Sequence, residues 1–310
     1  MTSLTKHPNT THEKLRRIKK DLKLVALDYD GTIYNRKDVH FTHETAVNLI
    51  MKIKQKFNVA IITARASTAM KILVPSLIKR IVIKPSKYRI FIGGGNGAML
   101  YELEKNGIKE IYNNGLSYSE IYFVVQTYKE ISQKLNLKRK EYMIEGLKTW
   151  KNYLAQDWSG FIDDDILDLS KPYKGIIFTE KAKVAIVQPS SKDRKLMLIK
   201  NLQKELADKY MVVAGDIDIN ITKKCNIDGK VMAIKKILNI LKLTHRQVVT
   251  FGDLPEDNDR GLLSFPYSFT NATSFFKEKN DYNKPPYMLL NSDISPIGCV
   301  YQALNYLLRS

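Results

Sequence analysis

The feature that most constrains this chain is the block Leu22–Leu27 followed at once by Asp28-Tyr29-Asp30-Gly31-Thr32. A nearly continuous apolar run of strand length predicts a strand buried on both faces, and such strands belong to parallel sheets covered by helices. Two carboxylates, one residue apart, stand where that strand ends. Open parallel sheets bind ligands outside the carboxyl ends of their strands, so this is where chemistry is expected. Gly31 permits an immediate turn of the backbone, which lets both carboxylates converge on one cation.

The same alternation continues along the chain. A helical stretch from Thr45 to Lys56 leads to a strand at Val59–Ile62, and a third strand at Arg89–Ile92 runs into the glycine-rich turn Gly93–Gly97. Towards the other end, a helical pattern from Val231 to Leu241 leads to Val248–Phe251 and a second acidic loop. Strands alternating with helices predict an α/β fold with a doubly wound, mostly parallel, Rossmann-like core sheet. The long middle section has its own helices near Ser119–Leu135 and Lys192–Lys209, with strands at Val184–Val187 and Asp218–Thr222. It reads as an inserted α/β domain. The expected division is a basic N-terminal extension at 1–21, core at 22–99, insertion at 100–224 and core again at 225–310.

Composition excludes several classes. At 310 residues, with 44% hydrophobic and 26% charged residues, the chain has the make-up of an ordinary globular protein with a substantial core. Cys225 and Cys299 are the only two cysteines and form no CxxC, so neither a disulfide framework nor a cysteine zinc site is expected. No apolar run approaches the roughly 20 residues that span a bilayer, and the N-terminus has no apolar secretory block. The expectation is a soluble, cytoplasmic protein with no membrane partner; its oligomeric state is not legible. The net charge of +18 attracts polyanions of every kind, from nucleic acid to phosphorylated metabolites. Lysines such as Lys195, Lys200 and Lys204 are scattered over helix faces, which reads as solvated surface. The densest run, Lys14, Arg16, Arg17, Lys19 and Lys20, reads as a basic arm or as a mobile tail before a helical turn.

Phosphoryl transfer through an enzyme carboxylate needs a nucleophile, an acid for the leaving oxygen, a cation and fixed donors for the phosphoryl oxygens. The block Asp28-Tyr29-Asp30-Gly31-Thr32 resembles motif one of the haloacid dehalogenase (HAD) superfamily, and the remaining motifs follow in order. The resemblance implies that Asp28 attacks phosphorus and that Asp30 protonates the leaving group. Ala60-Ile61-Ile62-Thr63-Ala64-Arg65 is similar to motif two, which implies phosphate contacts from the Thr63 hydroxyl and the Ala64 N–H. Lys230, before a helix, matches the motif-three lysine that neutralises the phosphoryl group. Motif four is matched by Gly252-Asp253-Leu254-Pro255-Glu256-Asp257-Asn258-Asp259. By the family spacing, Asp253 and Asp257 join Asp28 and Asp30 around a magnesium ion. Asp259 is then expected to be a helix cap or surface charge, and Glu256 to point away. Asn258 and Asn271 are further candidates for the site.

Asn96-Gly97-Ala98, Asn271-Ala272 and the apolar helix Val300–Leu308 resemble the Cof-like, type IIB subgroup, in which the insertion is a cap. Two departures stand out. Many members read Gly-Asp-x-x-Asn-Asp in motif four and Lys-Gly in motif three, whereas Glu256 and Val231 occupy those places here. The resemblance implies magnesium-dependent hydrolysis of a small phosphomonoester, such as a sugar phosphate, through an aspartyl-phosphate. Alternatives are a phosphomutase of the same fold and a nucleic-acid-associated protein, either a polynucleotide phosphatase or a binding module. The last rests on charge alone. Trp150, Tyr153 and Trp158 are candidates to stack on a sugar or base, with core packing as the competing reading.

Overall fold

The computed structural model describes residues 8–35, 38–65, 73–144, 176–180, 183–214, 218–225, 227–256, 258–272, 284–289 and 295–309. The chain runs α1 (Pro8–Lys19), β1 (Leu24–Leu27), α2 (His43–Lys54), β2 (Asn58–Ile62), α3 (Val74–Ile83), β3 (Ile90–Gly94), β4 (Met99–Glu104) and β5 (Gly107–Asn113). There follow α4 (Tyr118–Lys134), β6 (Ile177–Glu180), β7 (Lys183–Val187), α5 (Lys192–Leu206), β8 (Tyr210–Ala214) and β9 (Asp218–Lys223). The last group is α6 (Gly229–Leu241), β10 (Val248–Gly252), β11 (Ser268–Thr270), β12 (Tyr287–Met288) and α7 (Pro296–Leu308). Contacts divide the chain into two compact units, 1–113 with 227–310, and 114–226.

In the first unit the described strands form one eight-stranded sheet in the order β12-β11-β10-β1-β2-β3-β4-β5. All neighbours are parallel as far as β3, and β4 and β5 close one edge antiparallel. The alternation of side chains along β1 explains why both faces are covered. Val25 and Leu27 join a core with α1, α2, α3 and α7, while Leu24 and Ala26 join a second core with Ala233, Ile234 and Ile237 of α6. The fold is thus the doubly wound α/β sheet that the sequence predicts.

Two boundaries differ from expectation. The segment after Leu100 does not leave the core at once, because β4 and β5 extend the core sheet to Asn113. Leu100 and Leu103 are buried against that sheet, whereas β5 presents Lys109 and Glu110 to solvent as a charged edge. The stretch 1–21 is likewise more than a basic arm or tail. Helix α1 buries Leu15 and Ile18 in the core, the Thr11 hydroxyl donates to the Met288 carbonyl at 3.1 Å, and the Lys19 ammonium reaches the Arg309 carbonyl. An apolar stripe hidden among the cations is the reason.

The second unit holds an antiparallel sheet, β6-β7-β9-β8 among the described residues. Helices α4 and α5 cover it through Ile121, Val124, Tyr128, Leu198 and Leu202, which meet Val184, Ile186, Ile219 and Ile221. Helix α4 starts at a capping box in which Ser117 and Glu120 exchange side-chain and backbone hydrogen bonds. Trp150, Tyr153 and Trp158 lie outside the described residues. No described helix is long and apolar enough to cross a membrane.

Candidate active site

Strands β1 and β10 end side by side, and the Asp28 N–H donates to the Phe251 carbonyl at 2.9 Å. This pairing sets the first residue past β1 beside the loop that follows β10. The Asp28 side chain is buried, and its Oδ1 accepts from the Lys230 ammonium at 2.8 Å. Lys230 is itself 1% exposed, which a lysine tolerates only when its charge is met by partners. A second partner is Asp259, whose Oδ1 accepts from the same ammonium at 2.5 Å. Burial alone would lower the affinity of Lys230 for its proton; the charges of Asp28 and Asp259 overcome this and hold it cationic.

The placement of Lys230 follows from how α6 begins. The Asp228 side chain caps the helix by accepting from the Lys230 and Val231 N–H groups at 2.9 and 3.2 Å. The first turn then packs against the loop after β3 so closely that a Cβ on Gly97, where φ is +84°, would stand 2.2 Å from the Gly229 carbonyl oxygen. The Asn96-Gly97 turn therefore supports the start of the helix that delivers the lysine. The glycine-rich stretch has a structural reason.

Asp253 follows β10 and lies against the turn after β1. A Cβ on Gly31, at φ +74°, would fall 2.1 Å from Asp253 Oδ2, so a side chain there would displace the carboxylate. An oxygen of each of Asp28, Asp253 and Asp259 lies within 4.8 Å of the other two. Burial, then the Asp259 charge, pushes Asp28 up to about 7 against the pull of Lys230. Burial, then Asp28 and Asp259, pushes Asp253 up to about 9. Crowded, desolvated carboxylates of this kind favour protons or a cation between them, and hard oxygen donors suit magnesium. The donor set therefore fits the ion implied by the family resemblance.

Asp259 corrects the sequence reading, which made it a cap or surface charge. It is fully buried, and its Oδ2 accepts from the Asp253 and Leu254 N–H groups at 2.8 and 3.1 Å. With Lys230 on its other oxygen, it braces the loop that carries Asp253. The signal was present in the sequence: Asn258-Asp259 preserves the family's Asn-Asp pair, displaced by two residues. Asp257 lies outside the described residues. Asn258 is half-buried in the same loop.

The remaining candidates divide. Thr63 is buried past β2, its hydroxyl oxygen accepting from the Arg65 N–H at 3.1 Å, and Ala64 is half-buried beside it. Asp30 is not in the acidic group; Arg65 holds it in a forked ion pair. Sequence reasoning gave Arg65 no role. Asn271, past β11, donates to the Gly31 carbonyl at 3.0 Å, and its buried Oδ1 has no hydrogen-bond partner among the described residues.

The chain is similar to several known proteins. The model of the haloacid dehalogenase-like hydrolases matches residues 25–282. Among solved structures, a haloacid dehalogenase-like hydrolase from Bacteroides thetaiotaomicron is similar at TM-score 0.57 and 18% identity, over 91% of this chain and 99% of that one. N-terminally truncated IMP-nucleotidase from Plasmodium falciparum gives 0.56 and 14%, over 96% and 73%. A Thermoplasma acidophilum protein gives 0.54 and 14%, over 92% and 98%. Among curated proteins none matches.

Proposed function

This chain belongs to the haloacid dehalogenase-like hydrolase family, and we propose that it hydrolyses a small phosphomonoester, with Asp28 as the nucleophile. The observation that carries this reading is the buried cluster at the ends of β1 and β10, where Lys230 bridges Asp28 and Asp259 beside Asp253. A lysine on one oxygen of Asp28 fixes the direction of the carboxylate and offsets the charge that a phosphate dianion brings. Asp28 forms a bond to phosphorus as the ester bond breaks, and Asp30, which carries a proton on one oxygen for this step and accepts from Arg65 through the other, gives the leaving oxygen its proton. Water then attacks the phosphorylated Asp28, loses its proton to Asp30 and releases phosphate. Thr63 and the Ala64 N–H lie past β2, where they would donate to phosphoryl oxygens.

Asp28, Asp253 and Asp259 are the described carboxylates that would hold or brace a magnesium ion. When bound, the ion supplies positive charge that offsets repulsion between the carboxylates and the incoming phosphate. Asp259 already accepts three hydrogen bonds, so we assign the direct contacts to Asp28 and Asp253 and the bracing role to Asp259.

A panel of phosphomonoesters, with sugar phosphates and nucleoside monophosphates, assayed for phosphate release with magnesium and with EDTA, tests the reading. Turnover is expected only with the metal, and Asp28→Asn should fall to background while keeping the wild-type circular dichroism spectrum. Wild-type turnover by Asp28→Asn would sink the mechanism. The nucleoside monophosphates are included because the Plasmodium falciparum protein of the same fold is an IMP-nucleotidase.

A further inference from the structure

Arg65 follows Thr63 by two residues, and its side chain turns back to the loop after β1. Its Nε donates to Asp30 Oδ2 at 2.6 Å, and a terminal nitrogen donates to Oδ1. This fork fixes the plane of the carboxylate as a single contact cannot. The guanidinium stands 5.5 Å from the Tyr29 ring centroid and 5.2 Å from that of Tyr34. Those two rings stack on each other, 5.0 Å apart and 11° from parallel, which makes a shelf for the planar cation. The Tyr29 hydroxyl is hydrogen-bonded to His43 Nδ1 at 2.8 Å, tying the shelf to α2. At its other end, the Arg65 N–H is bonded to the Thr63 hydroxyl, so the residue links the turn after β2 to the turn after β1.

Stability does not account for this arrangement. The Asp30 side chain is 47% exposed, so water screens the pair and even a forked contact there contributes only modestly to folding. What the fork and the shelf do fix is the direction of the Asp30 carboxyl group, on a loop that would otherwise let it rotate. We infer that Arg65 is a positioning residue for Asp30, setting the orientation from which that group meets the leaving oxygen. The inference rests on the reading of Asp30 as the leaving-group acid under Proposed function.

The test uses substituted phenyl phosphates of similar shape, from p-nitrophenyl to unsubstituted phenyl, and follows phenol release in the first turnover with magnesium. A p-nitrophenolate leaves without a proton, so its release does not depend on how Asp30 is held; phenol does need one. With Arg65→Ala, release from phenyl phosphate should slow on the order of 10-fold to 100-fold, part of what a general acid supplies. Release from p-nitrophenyl phosphate should stay near the wild-type rate. The loss should fall on the rate and not on KM. Arg65→Lys, which keeps the charge without the fork, should lie between, and Arg65→Ala should add nothing to Asp30→Asn. Equal losses on all the esters, a change confined to KM, or additive losses in the double variant would each overturn the inference. The Asp30→Asn arm separates the two levels. If that variant shows no leaving-group dependence, or if wild type releases no phenol from any ester, the reading under Proposed function fails and takes the inference with it. If Asp30→Asn is steep and Arg65→Ala flat, only the inference fails.

Discussion

Asp259 is the residue on which sequence and structure disagree most usefully. Removing its carboxylate would strand the Lys230 ammonium beside one anion and leave the Asp253 and Leu254 N–H groups without their acceptor. Breaking a buried, hydrogen-bonded pair from one side costs on the order of 3–5 kcal/mol, and this pair is 1% exposed on both sides, so solvent screens little of it. Asp259→Ala should therefore lower the urea midpoint markedly and lose activity, and a variant matching wild type in both would show that the brace is dispensable. Asp28, Asp253 and Lys230 were legible because each stands at the end of an apolar strand or the start of an apolar helix. Asp259 was not, because counting from Asp253 leads to Asp257 unless the loop is allowed two extra residues. The raised Asp28 and Asp253 make a second prediction. Both carboxyl groups bind protons more readily folded than unfolded, so in metal-free protein they cost stability as pH rises from about 4 towards 9. Magnesium competes with those protons. The increase in Tm on replacing EDTA with magnesium should thus be larger near pH 9 than near pH 5, measured by differential scanning fluorimetry. An equal increase at both would mean that the ion does not bind these carboxylates.

Among the elements, α1 shows how charge can conceal packing. Its cations Arg16 and Arg17 are exposed, while Leu15 and Ile18, three apart on one face, are buried with Leu22 beneath the same core. The basic run by itself reads as an arm, whereas the spacing of Leu15, Ile18 and Leu22 reads as a helix face. Leu15→Ala should cost about 2–5 kcal/mol, the range for truncating a buried leucine, whereas Arg16→Ala should change stability by less than about 0.5 kcal/mol. Urea denaturation of both variants decides the matter: equal midpoints would place α1 outside the cooperative core. Helices α2, α4, α5 and α6 were legible within a few residues because their apolar periodicity is uninterrupted. The short strands β11 and β12 were not, since two or three residues carry no period.

At the scale of the whole molecule, the parallel centre of the sheet could be read because its strands are mostly apolar runs and helices follow β1 and β2. Its antiparallel edge escaped, because β4 carries Glu102 and Glu104 and β5 carries Lys109 and Glu110, which resembles the polar surface of an inserted segment. The turn between them, Lys105-Asn106-Gly107, did carry a hairpin signal in its Asn-Gly pair. The difference can be tested by excision. A chain that joins Asn113 to Ile227 through a short flexible linker keeps every strand of the eight-stranded sheet, and with it Leu100 in the core cluster that holds Phe91. A chain cut at the boundaries expected from sequence, without residues 100–224, loses β5 and nearly all of β4. Its β3 edge is left with unpaired N–H and C=O groups, Leu103 no longer covers the core, and Arg89 loses its forked partner Glu102. Bared sheet edges template aggregation as well as costing stability. The first shortened chain should unfold in one cooperative thermal transition and remain monodisperse in size-exclusion chromatography. The second should melt at least about 5 °C lower, as a loss of a few kcal/mol implies, or aggregate on purification. If the longer excision yields the more stable chain, β4 and β5 are an appendage of the insertion, and the core ends where the sequence first suggested.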